Sequence, residues 1–312
     1  MLTELLILLS AFTILLYIRR TSRALSRRIT ETHNLLKKLE RENRELQGQL
    51  GKAENSLNLS IVPSLPNRDW SFTLSFTTHG ARLNSLSKVL DSISKQVLQP
   101  SKVILALTDS DKDLLTDQQR KFLDDHSVSI VISRDLGPGK KLIPALRNQS
   151  QPIIVIDDDI ALPSDLTLQL MTQHHLYKDS IIASRAHRII RDESGALLPY
   201  ARWEKHVSIN GPAKDLFATS GAGTLFPIGS LHLDALDEDL YSKLAFHTDD
   251  LWWHVHARRN GTLTRRIQGR ETWNSSKILK QAGCGIPGIR SEMMKTLPNS
   301  LPHLGMFSRY VR

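Results

Sequence analysis

The sequence predicts an α/β domain with a mostly parallel sheet and flanking helices, preceded by one transmembrane helix and a coiled-coil stalk. Three observations predict this organisation: an uncharged apolar run near the N-terminus, a heptad repeat after it, and short β-rich runs that then alternate with amphipathic helical ones. The predicted segments are an anchor at 2–18, a basic juxtamembrane segment and stalk at 19–58, a linker at 59–69 and a globular domain at 70–312.

The composition excludes several classes of protein. The chain has 312 residues, of which 40% are hydrophobic, so it can bury a sizeable core and is too apolar for wholesale disorder. A single cysteine, Cys284, excludes a disulfide framework and a cysteine-based zinc cluster. The net charge of +9 is uneven: residues 1–68 carry 11 basic and 6 acidic residues (+5), and residues 69–312 carry 30 and 26 (+4). Because 69–312 has no basic stripe interleaved with aromatics, no nucleic-acid partner is expected.

The predicted anchor is the uncharged run Leu5–Ile18, which Leu2 and Thr3 extend past Glu4. A membrane span needs about 20 apolar residues, with about 17 as the lower limit. A cleaved signal peptide is the alternative, but no basic residue precedes the run and no small-residue cleavage site follows it. Five arginines follow within 19–28, and the positive-inside rule then predicts a single-pass membrane protein with its globular domain on the cytoplasmic face. The alternative is a Golgi-type lumenal domain, in which N-x-S/T sequons could be used; these begin at Asn58, Asn148, Asn260 and Asn274.

The predicted stalk is a heptad repeat over 25–57, with apolar residues spaced alternately four and three apart. Asn43 occupies a seam position, where a lone asparagine favours a parallel homodimer. Gly48 and Gly51 weaken the last heptads by about 1 kcal/mol each relative to alanine. The alternative is a single amphipathic helix that lies on a membrane or on the globular domain.

The first half of the globular domain is predicted to alternate strands with helices. The predicted strands are 71–77, 102–107, 128–132, 152–156 and 180–184, and the predicted helices are 82–97, 111–125, 140–148 and 163–177. Such an alternation implies right-handed βαβ units, with ligands bound beyond the carboxyl ends of the strands. The second half, about 186–312, is predicted to be an α+β extension laid on the edge of the sheet.

Three successive aspartates, Asp157–Asp159, directly follow the fourth predicted strand. Neighbouring carboxylates repel one another unless a cation or a basic group neutralises them. Asp157 and Asp159 point to the same side of an extended segment, so they can share one Mg²⁺ or Mn²⁺. A solvated acidic turn is the alternative. A phosphatase of the haloacid type also carries D-x-D after a strand, but it would have Thr or Val in place of Ala161.

Four segments resemble, in this order, parts of one enzyme family. The first βαβ unit of family-two-type nucleotide-sugar transferases is similar to FTLSFTTHGARLNSLSKVLDSISKQVLQPSKVILAL, with an S-x-x-x-Q-x-x-x-P pattern at Ser92, Gln96 and Pro100. The stretch GPGKKLIPAL followed by VIDDDI resembles the basic glycine-rich segment and the metal motif of bacterial members. TSGAGTLFP resembles their acceptor-side loop, and HTDDLWWHVHARRNG resembles their catalytic acidic segment. Residues 70–275 thus resemble a glycosyltransferase of the GT-A fold, from a family-two-like bacterial group with a DDD (D-x-D) motif. The Gln-Arg-x-x-Trp motif of processive synthases is absent from the sequence, which favours transfer of one or a few sugars.

The resemblance implies transfer of a sugar from a nucleotide-sugar donor to a hydroxyl of a glycan or glycolipid acceptor, with Mn²⁺ or Mg²⁺, in envelope glycan or glycolipid assembly. It implies that Asp157 and Asp159 bind the metal and that Asp250 and Asp249 are catalytic. The implied acceptor-side residues are Gly221, Gly223, Trp252 and Trp253. The implied donor-binding residues are Thr77, His79, Arg82, Asp109, Lys140, Lys141, Asp157 and Asp158.

Several of these assignments have structural alternatives. Asp250 is the favoured general base, because a carboxylate held near apolar rings is a stronger base, with Asp249 as the helix cap. Simple helix capping by Thr248 or Asp249 is the alternative. The lysine pair could be an ordinary helix N-terminal turn, and the glycines could form a plain turn. His254 and His256 are each either packed residues or a third metal ligand. The alternative function is a dimeric coiled-coil scaffold with a non-catalytic nucleotide-sugar-binding domain.

Overall fold

The computed structural model describes residues 69–267, together with helical residues scattered between 19 and 49. The chain divides into two units, Met1–Leu50 and Gly51–Arg312. In the described part of the first unit, the heptad residues Ile29, Leu39 and Leu46 are exposed on a helix. The described residues of this segment are helical, and the stalk and its coiled-coil homodimer stay predictions. The seam residue Asn43, residues 50–68 and residues 268–312 lie outside the described residues.

The prediction of a single-pass membrane protein is contradicted. No helix within the described residues is long and apolar enough to cross a membrane. The predicted anchor, 2–18, lies outside the described residues. The uncharged run Leu5–Ile18 reaches the lower limit of about 17 residues only when Leu2, Thr3 and the charged Glu4 are included. The cytoplasmic and lumenal placements of the globular domain both depended on that anchor, so neither is retained.

The second unit contains a mixed α/β fold. Its strands are β1 (Thr73–Thr77), β2 (Lys102–Leu107), β3 (Val128–Ile132), β4 (Ile153–Val155), β5 (Ser180–Ala183), β6 (Ala186–Arg188), β7 (Leu216–Ala218), β8 (Thr224–Phe226) and β9 (Leu263–Arg266). Its helices are α1 (Leu86–Ser94), α2 (Asp109–Asp113), α3 (Asp117–Asp125), α4 (Ile143–Leu146), α5 (Leu166–Leu176), α6 (Glu238–Leu244) and α7 (Asp249–Arg259). Short 3₁₀ turns cover Gly80–Ser85, Gly137–Lys141, Tyr200–Arg202, Ser220–Ala222 and Leu233–Leu236.

Seven of the described strands form one sheet in the order β3-β2-β1-β4-β8-β5-β9, and β6 pairs with β7 separately. Within the large sheet, β8 runs antiparallel to β4 and β5, and the other neighbouring strands pair in parallel. This mostly parallel sheet fits the GT-A-like fold that the resemblance implies. Up to residue 267, the second half of the chain differs from its prediction, because β8 lies inside the sheet, between β4 and β5, and β9 forms the edge.

Two apolar clusters cover the two faces of this sheet. Side chains alternate between the faces along each strand, so Ile154 joins one cluster while Ile153 and Val155 join the other. The first cluster includes residues of α1 and α5, and the second includes Trp252 and Trp253 of α7. The sheet is therefore covered on both faces, and polar residues reach solvent at the ends of its strands.

The helices are shorter than predicted. The predicted helix 111–125 is two helices, because Thr116 begins α3 with a capping box: its side chain accepts from Gln119 N, and the Gln119 side chain accepts from Thr116 N. The predicted helices 82–97 and 140–148 each begin with a 3₁₀ turn. Gln96 of the S-x-x-x-Q-x-x-x-P pattern joins distant segments, donating to Pro163 O at 2.8 Å and accepting from Thr167 N at 3.1 Å.

Candidate functional site

Acidic and basic residues converge at the edge of the sheet where β1 and β4 end. Asp157–Asp159 follow β4 at this edge. The antiparallel β8 begins beside the end of β4, with Thr224 opposite Val155, so the preceding turn Ser220–Ala222 lies at the same edge. The first turn of α7 brings Asp249 and Asp250 to that turn. The fold thus collects three segments that are distant in sequence.

Lys141 joins two of the acidic segments. Its ammonium nitrogen lies 2.8 Å from Asp157 Oδ1 and 2.9 Å from Asp249 Oδ2, and the side chain is only 1% exposed. Burial favours the neutral amine, but Asp157, Asp249 and Asp250 raise the pKa of Lys141 well above its ordinary value. Lys141 is therefore a permanent cation inside the protein. The contact of Lys141 with the donor stays a prediction; the partners that the structure shows are carboxylates.

Ser220 holds Asp250 in place. The backbone N–H and the hydroxyl of Ser220 both donate to Asp250 Oδ1, at 2.8 and 2.5 Å, and the hydroxyl also lies 3.3 Å from Asp249 Oδ2. Thr248, at the N-cap position of α7, makes no capping hydrogen bond with its side chain among the described residues. The two carboxylates therefore do more than cap the start of α7: Asp249 binds Lys141, and Asp250 binds the glycine-rich turn.

Gly221 allows the backbone to approach the aspartate segment closely. Its carbonyl oxygen accepts from Asp157 N at 2.9 Å. A Cβ atom at Gly221 would lie 1.7 Å from Asp157 Oδ2, which no side chain could tolerate without displacement of the carboxylate. Gly223 is required for a different reason: its φ of 104° disfavours other residues, and a Cβ atom there would lie 2.8 Å from the Leu166 side chain.

Arg82 pairs with the other two aspartates. Its guanidinium binds Asp158 and lies 3.1 Å from Asp159 Oδ2. Burial raises the pKa of Asp158, and Arg82 opposes this shift. Together with Lys141, Arg82 gives each carboxylate of the Asp157–Asp159 segment a basic partner from the protein itself. The mutual repulsion that motivated a metal prediction is thus relieved in part by side chains.

The sequence prediction missed Asp111. Its carboxylate accepts from Gly80 N at 2.9 Å and from the Thr108 hydroxyl at 2.7 Å, and it lies 3.7 Å from Lys140 Nζ. Partial burial acts in the opposite direction, but these hydrogen bonds and Lys140 lower the pKa of Asp111. The predicted Asp109 is instead exposed on α2. The T-x-x-D spacing from Thr108 to Asp111 is a capping signal that could have identified the residue.

The remaining predicted site residues have varied surroundings. Lys140 is 3% exposed and lies 3.3 Å from Asp135 Oδ1. Thr77 donates to Ala106 O at 2.8 Å, and His79 is exposed beside it. Trp252 and Trp253 are buried in the core, where Trp252 donates to Ala235 O at 3.1 Å and Trp253 lies 3.4 Å from Asp249 Oδ2. The rings of Trp252 and Trp253 are therefore packing surfaces, and the roles assigned to these five residues stay predictions.

His254 lies beside Asp250 in a small cavity. The cavity measures about 10 Å³, room for about one water molecule, and its walls include Ser220, Asp250, His254 and Thr264. Neither ring nitrogen of His254 has a hydrogen-bond partner within the described residues. Burial, with a smaller effect of Arg258, lowers the pKa of His254 to about 3. The imidazole is therefore neutral at physiological pH.

Asp157 and Asp159 have the chemistry to bind a divalent cation together with a substrate. In the described part of the chain, no group of three or more His, Cys, Asp or Glu side chains could hold a metal ion. Mg²⁺, however, is commonly bound by one or two carboxylates plus substrate phosphates and water. The side chains of Asp157 and Asp159 are 22% and 37% exposed, so a ligand can reach them. These residues fit a cation that the substrate helps to hold.

No family model matches the chain, and no curated protein matches it. Solved structures do resemble it. One is 4-diphosphocytidyl-2C-methyl-D-erythritol synthase from Anaerococcus prevotii DSM 20548, with 16% identity, a TM-score of 0.42, and coverage of 66% of this chain and 91% of that one. Another is S. aureus TarS 1-349, with 15% identity, a TM-score of 0.43, and coverage of 64% and 58%. TarS 1-349 in complex with UDP matches with 15% identity, a TM-score of 0.41, and the same coverage. This chain therefore spans less than two thirds of the TarS chain.

Proposed function

We propose that this protein is a glycosyltransferase that moves a sugar from a nucleotide-sugar donor to a hydroxyl acceptor. The observation that carries the proposal is the convergence at one sheet edge of Asp157–Asp159 with Asp249 and Asp250, joined by Lys141. In open α/β sheets, ligands bind beyond the carboxyl ends of the strands, at this kind of edge. The four segments that resemble family-two-type transferases supply most of the residues that meet there.

Asp250 is the proposed general base. In the transfer, the acceptor oxygen forms a bond to the anomeric carbon of the sugar while the bond from that carbon to the diphosphate breaks. The acceptor hydroxyl gives its proton to Asp250, and the electron pair of the breaking bond leaves with the nucleoside diphosphate. Asp250 is 7% exposed, and Ser220 fixes one of its oxygens through two hydrogen bonds. A carboxylate oriented in this way needs little reorganisation to accept a proton.

Asp157 and Asp159 are the proposed ligands of Mn²⁺ or Mg²⁺. When bound, such an ion would neutralise charge on the donor diphosphate as it leaves. Lys141 holds Asp157 in position, and Gly221 leaves room for its carboxylate. Arg82, at 3.1 Å from Asp159, is the basic residue closest to that carboxylate among the ion pairs described, and it is proposed to contact the donor. Arg82 lies in the 3₁₀ turn Gly80–Ser85, and Asp111 positions the start of that turn by accepting a hydrogen bond from Gly80 N.

The proposal is tested with purified protein, Mn²⁺ or Mg²⁺, and a panel of UDP-, GDP-, CDP- and dTDP-sugars. We expect release of a nucleoside diphosphate from at least one donor, and faster release when the correct acceptor is added. Pyrophosphate release from a nucleoside triphosphate and a sugar phosphate would instead indicate nucleotidyl transfer. Nucleotide binding without turnover of any donor would favour the non-catalytic binding domain and overturn the proposal.

A matched pair of variants tests the base. Asp250→Asn keeps the size of the side chain and the oxygen that accepts hydrogen bonds from Ser220, but the amide cannot take a proton. We expect turnover to fall by at least a hundredfold with little change in nucleotide affinity. Asp125→Asn, at an exposed residue of α3, is the control and should keep full turnover. Undiminished turnover in Asp250→Asn would exclude Asp250 as the base.

A further inference from the structure

A second charged group lies next to the acidic site. We call Arg185, Lys205, His206 and Arg266 the basic cluster. Arg185 follows β5, and Arg266 ends β9, where it pairs with Ala183 at the end of β5. Val207 N donates to Ala186 O at 3.1 Å, and Arg266 N donates to Asn210 O at 2.7 Å, so the segment that carries Lys205 and His206 lies beside both arginines. In agreement, burial and then Arg185, Arg266 and Lys205 lower the pKa of His206. None of the four residues belongs to the predicted donor, acceptor or metal residues.

The basic cluster has no internal counter-ion for three of its members. Within residues 69–267, Arg185, Lys205 and His206 form no ion pair with a carboxylate. Arg188, in the same stretch, is paired with Glu204 at 3.7 Å and Asp215 at 3.3 Å. Like charges held together raise the free energy of the folded state unless an anion joins them. The segment therefore neutralises Arg188 and leaves Arg185 and Lys205 without a carboxylate partner within residues 69–267, while the lowered pKa of His206 keeps its imidazole mostly neutral.

The positions of these side chains are fixed by the fold. Lys205 Nζ donates to Tyr200 O at 2.7 Å and lies 2.9 Å from the centre of the Tyr200 ring. Burial lowers the pKa of Lys205 to about 8, so the amine is still mostly charged at neutral pH. His206 has φ of 52°, the left-handed region, and its N–H donates to His187 Nδ1 at 3.1 Å. A strained residue held by its surroundings is more common at binding sites than elsewhere.

The basic cluster is connected to Asp250 through two adjacent residues. Arg185 Nε donates to the Thr219 hydroxyl, and Thr219 N donates to Arg185 O at 3.1 Å. The next residue, Ser220, binds Asp250. The Asp157–Asp159 segment and Arg82 follow β4 and β1, whereas Arg185 follows β5 and Arg266 ends β9, beyond β8. The basic cluster therefore lies on the side of Asp250 away from the proposed donor residues.

From this arrangement we infer that the basic cluster binds an anionic group, a phosphate or a carboxylate, on the acceptor. The inference rests on the proposed function in taking the bound molecule to be the acceptor, but the anion site itself can be tested without that function. An acceptor held by its anionic group at Arg185 and Lys205 would present a nearby hydroxyl to Asp250. Guanidinium and ammonium groups bind phosphate and carboxylate through charge-assisted hydrogen bonds, so both anions share the chemistry that this cluster offers.

The test measures binding of inorganic phosphate, glucuronate and UDP by calorimetry to the full chain and to its variants. We expect the double variant Arg185→Gln, Lys205→Gln to lose phosphate or glucuronate affinity at least tenfold and to keep its UDP affinity. The anion that binds tighter to the unchanged protein then identifies the acceptor group. Lys88→Gln, an exposed residue of α1 with the same change of charge, should bind all three probes as before. If the double variant fails to fold, the two single variants are measured instead.

Two results would overturn the inference. The first is unchanged phosphate and glucuronate binding in a folded variant. The second is an equal loss of UDP and phosphate affinity, which would assign the basic cluster to the donor diphosphate. Failure of the proposed function has a different signature: no donor is turned over, yet phosphate or glucuronate still binds and still depends on Arg185 and Lys205. That result supports the anion site alone.

Discussion

Lys141 Nζ lies 2.8 Å from Asp157 Oδ1, although Lys141 precedes α4 and Asp157 follows β4. The same nitrogen lies 2.9 Å from Asp249 Oδ2. Burying an ion costs several kcal/mol unless partners compensate it, so these three residues stabilise one another and fix the distance between the two acidic segments. The proposed cation-binding aspartate and the helix that carries the proposed base are thus positioned by a single ammonium group.

Replacement of Lys141 by methionine should destabilise the protein strongly. Lys141→Met keeps the length of the side chain but leaves Asp157 and Asp249 without their shared cation, which we expect to cost about 3–5 kcal/mol. Because the folded pKa of Lys141 is raised, its contribution is complete below the unfolded pKa and is lost only as pH rises through the folded one. The difference from the unchanged protein in urea unfolding should therefore be constant between about pH 6 and 9. Lys121→Met, at an exposed pair with Asp125, should change the unfolding free energy by less than about 1 kcal/mol.

A single methyl group at Gly221 should disturb the aspartate segment. In Gly221→Ala the new Cβ would lie 1.7 Å from Asp157 Oδ2, so the carboxylate or the turn must move. We expect nucleotide-sugar turnover to fall at least tenfold, because misplacement of a site residue by about 1 Å costs that much or more. Gly195→Ala is the control: its Cβ meets no atom within 4 Å, and only its φ of 82° is unfavourable. Equal turnover in the two variants would contradict the close approach as the reason for Gly221.

Local patterns predicted much of this fold. The bounds of β2 and β3 agree with the predicted strands 102–107 and 128–132, because short apolar runs between polar turns are a local signal. The prediction of a mostly parallel sheet is confirmed, and Asp157–Asp159 do follow a buried strand. The break between α2 and α3 could have been predicted as well, since Thr116 and Gln119 have the spacing of a capping box.

Long-range pairing could not be predicted in the same way. The insertion of β8 between β4 and β5 depends on which strands meet, and three apolar residues do not specify a partner. The ion pairs of Lys141 could not be predicted for a similar reason, since its partners are carboxylates after β4 and in α7 that become neighbours only in the fold. Arg82, Lys141 and the acidic residues were all identifiable from sequence as site residues, whereas the ion pairs between them were not.

Removal of Arg82 should strengthen divalent-cation binding to the donor-free protein. The Arg82 guanidinium lies 3.1 Å from Asp159 Oδ2, so a metal ion at Asp159 must compete with its charge. In Arg82→Gln we expect the affinity for Mn²⁺, measured by electron paramagnetic resonance, to rise about three- to tenfold, as removal of a partly screened charge at this distance predicts. Arg134→Gln, whose partners are Glu238 and Asp239, is the control and should bind Mn²⁺ unchanged. An affinity that does not rise in Arg82→Gln would argue against Asp159 as a ligand.

Acid should destabilise the fold partly through His254. Burial, with a smaller effect of Arg258, lowers the pKa of His254 to about 3, so between about pH 3 and 6.5 the unfolded chain binds a proton that the folded protein does not. The free energy of unfolding therefore falls as pH falls through this window. His174, His187 and His256 also have lowered pKa values caused mainly by burial, so they contribute to the same trend.

His254→Met should reduce that pH dependence by the share of one proton, about 1.4 kcal/mol per pH unit between about pH 4 and 6, as measured by urea unfolding. The slope is the informative quantity, because the substitution also changes packing at every pH. His247→Gln, at an exposed residue, should leave the slope as it is in the unchanged protein. If His254→Met and the unchanged protein lose stability in parallel on acidification, the imidazole of His254 is not held in its neutral form by the fold, and its place beside Asp250 would have to accommodate a charge.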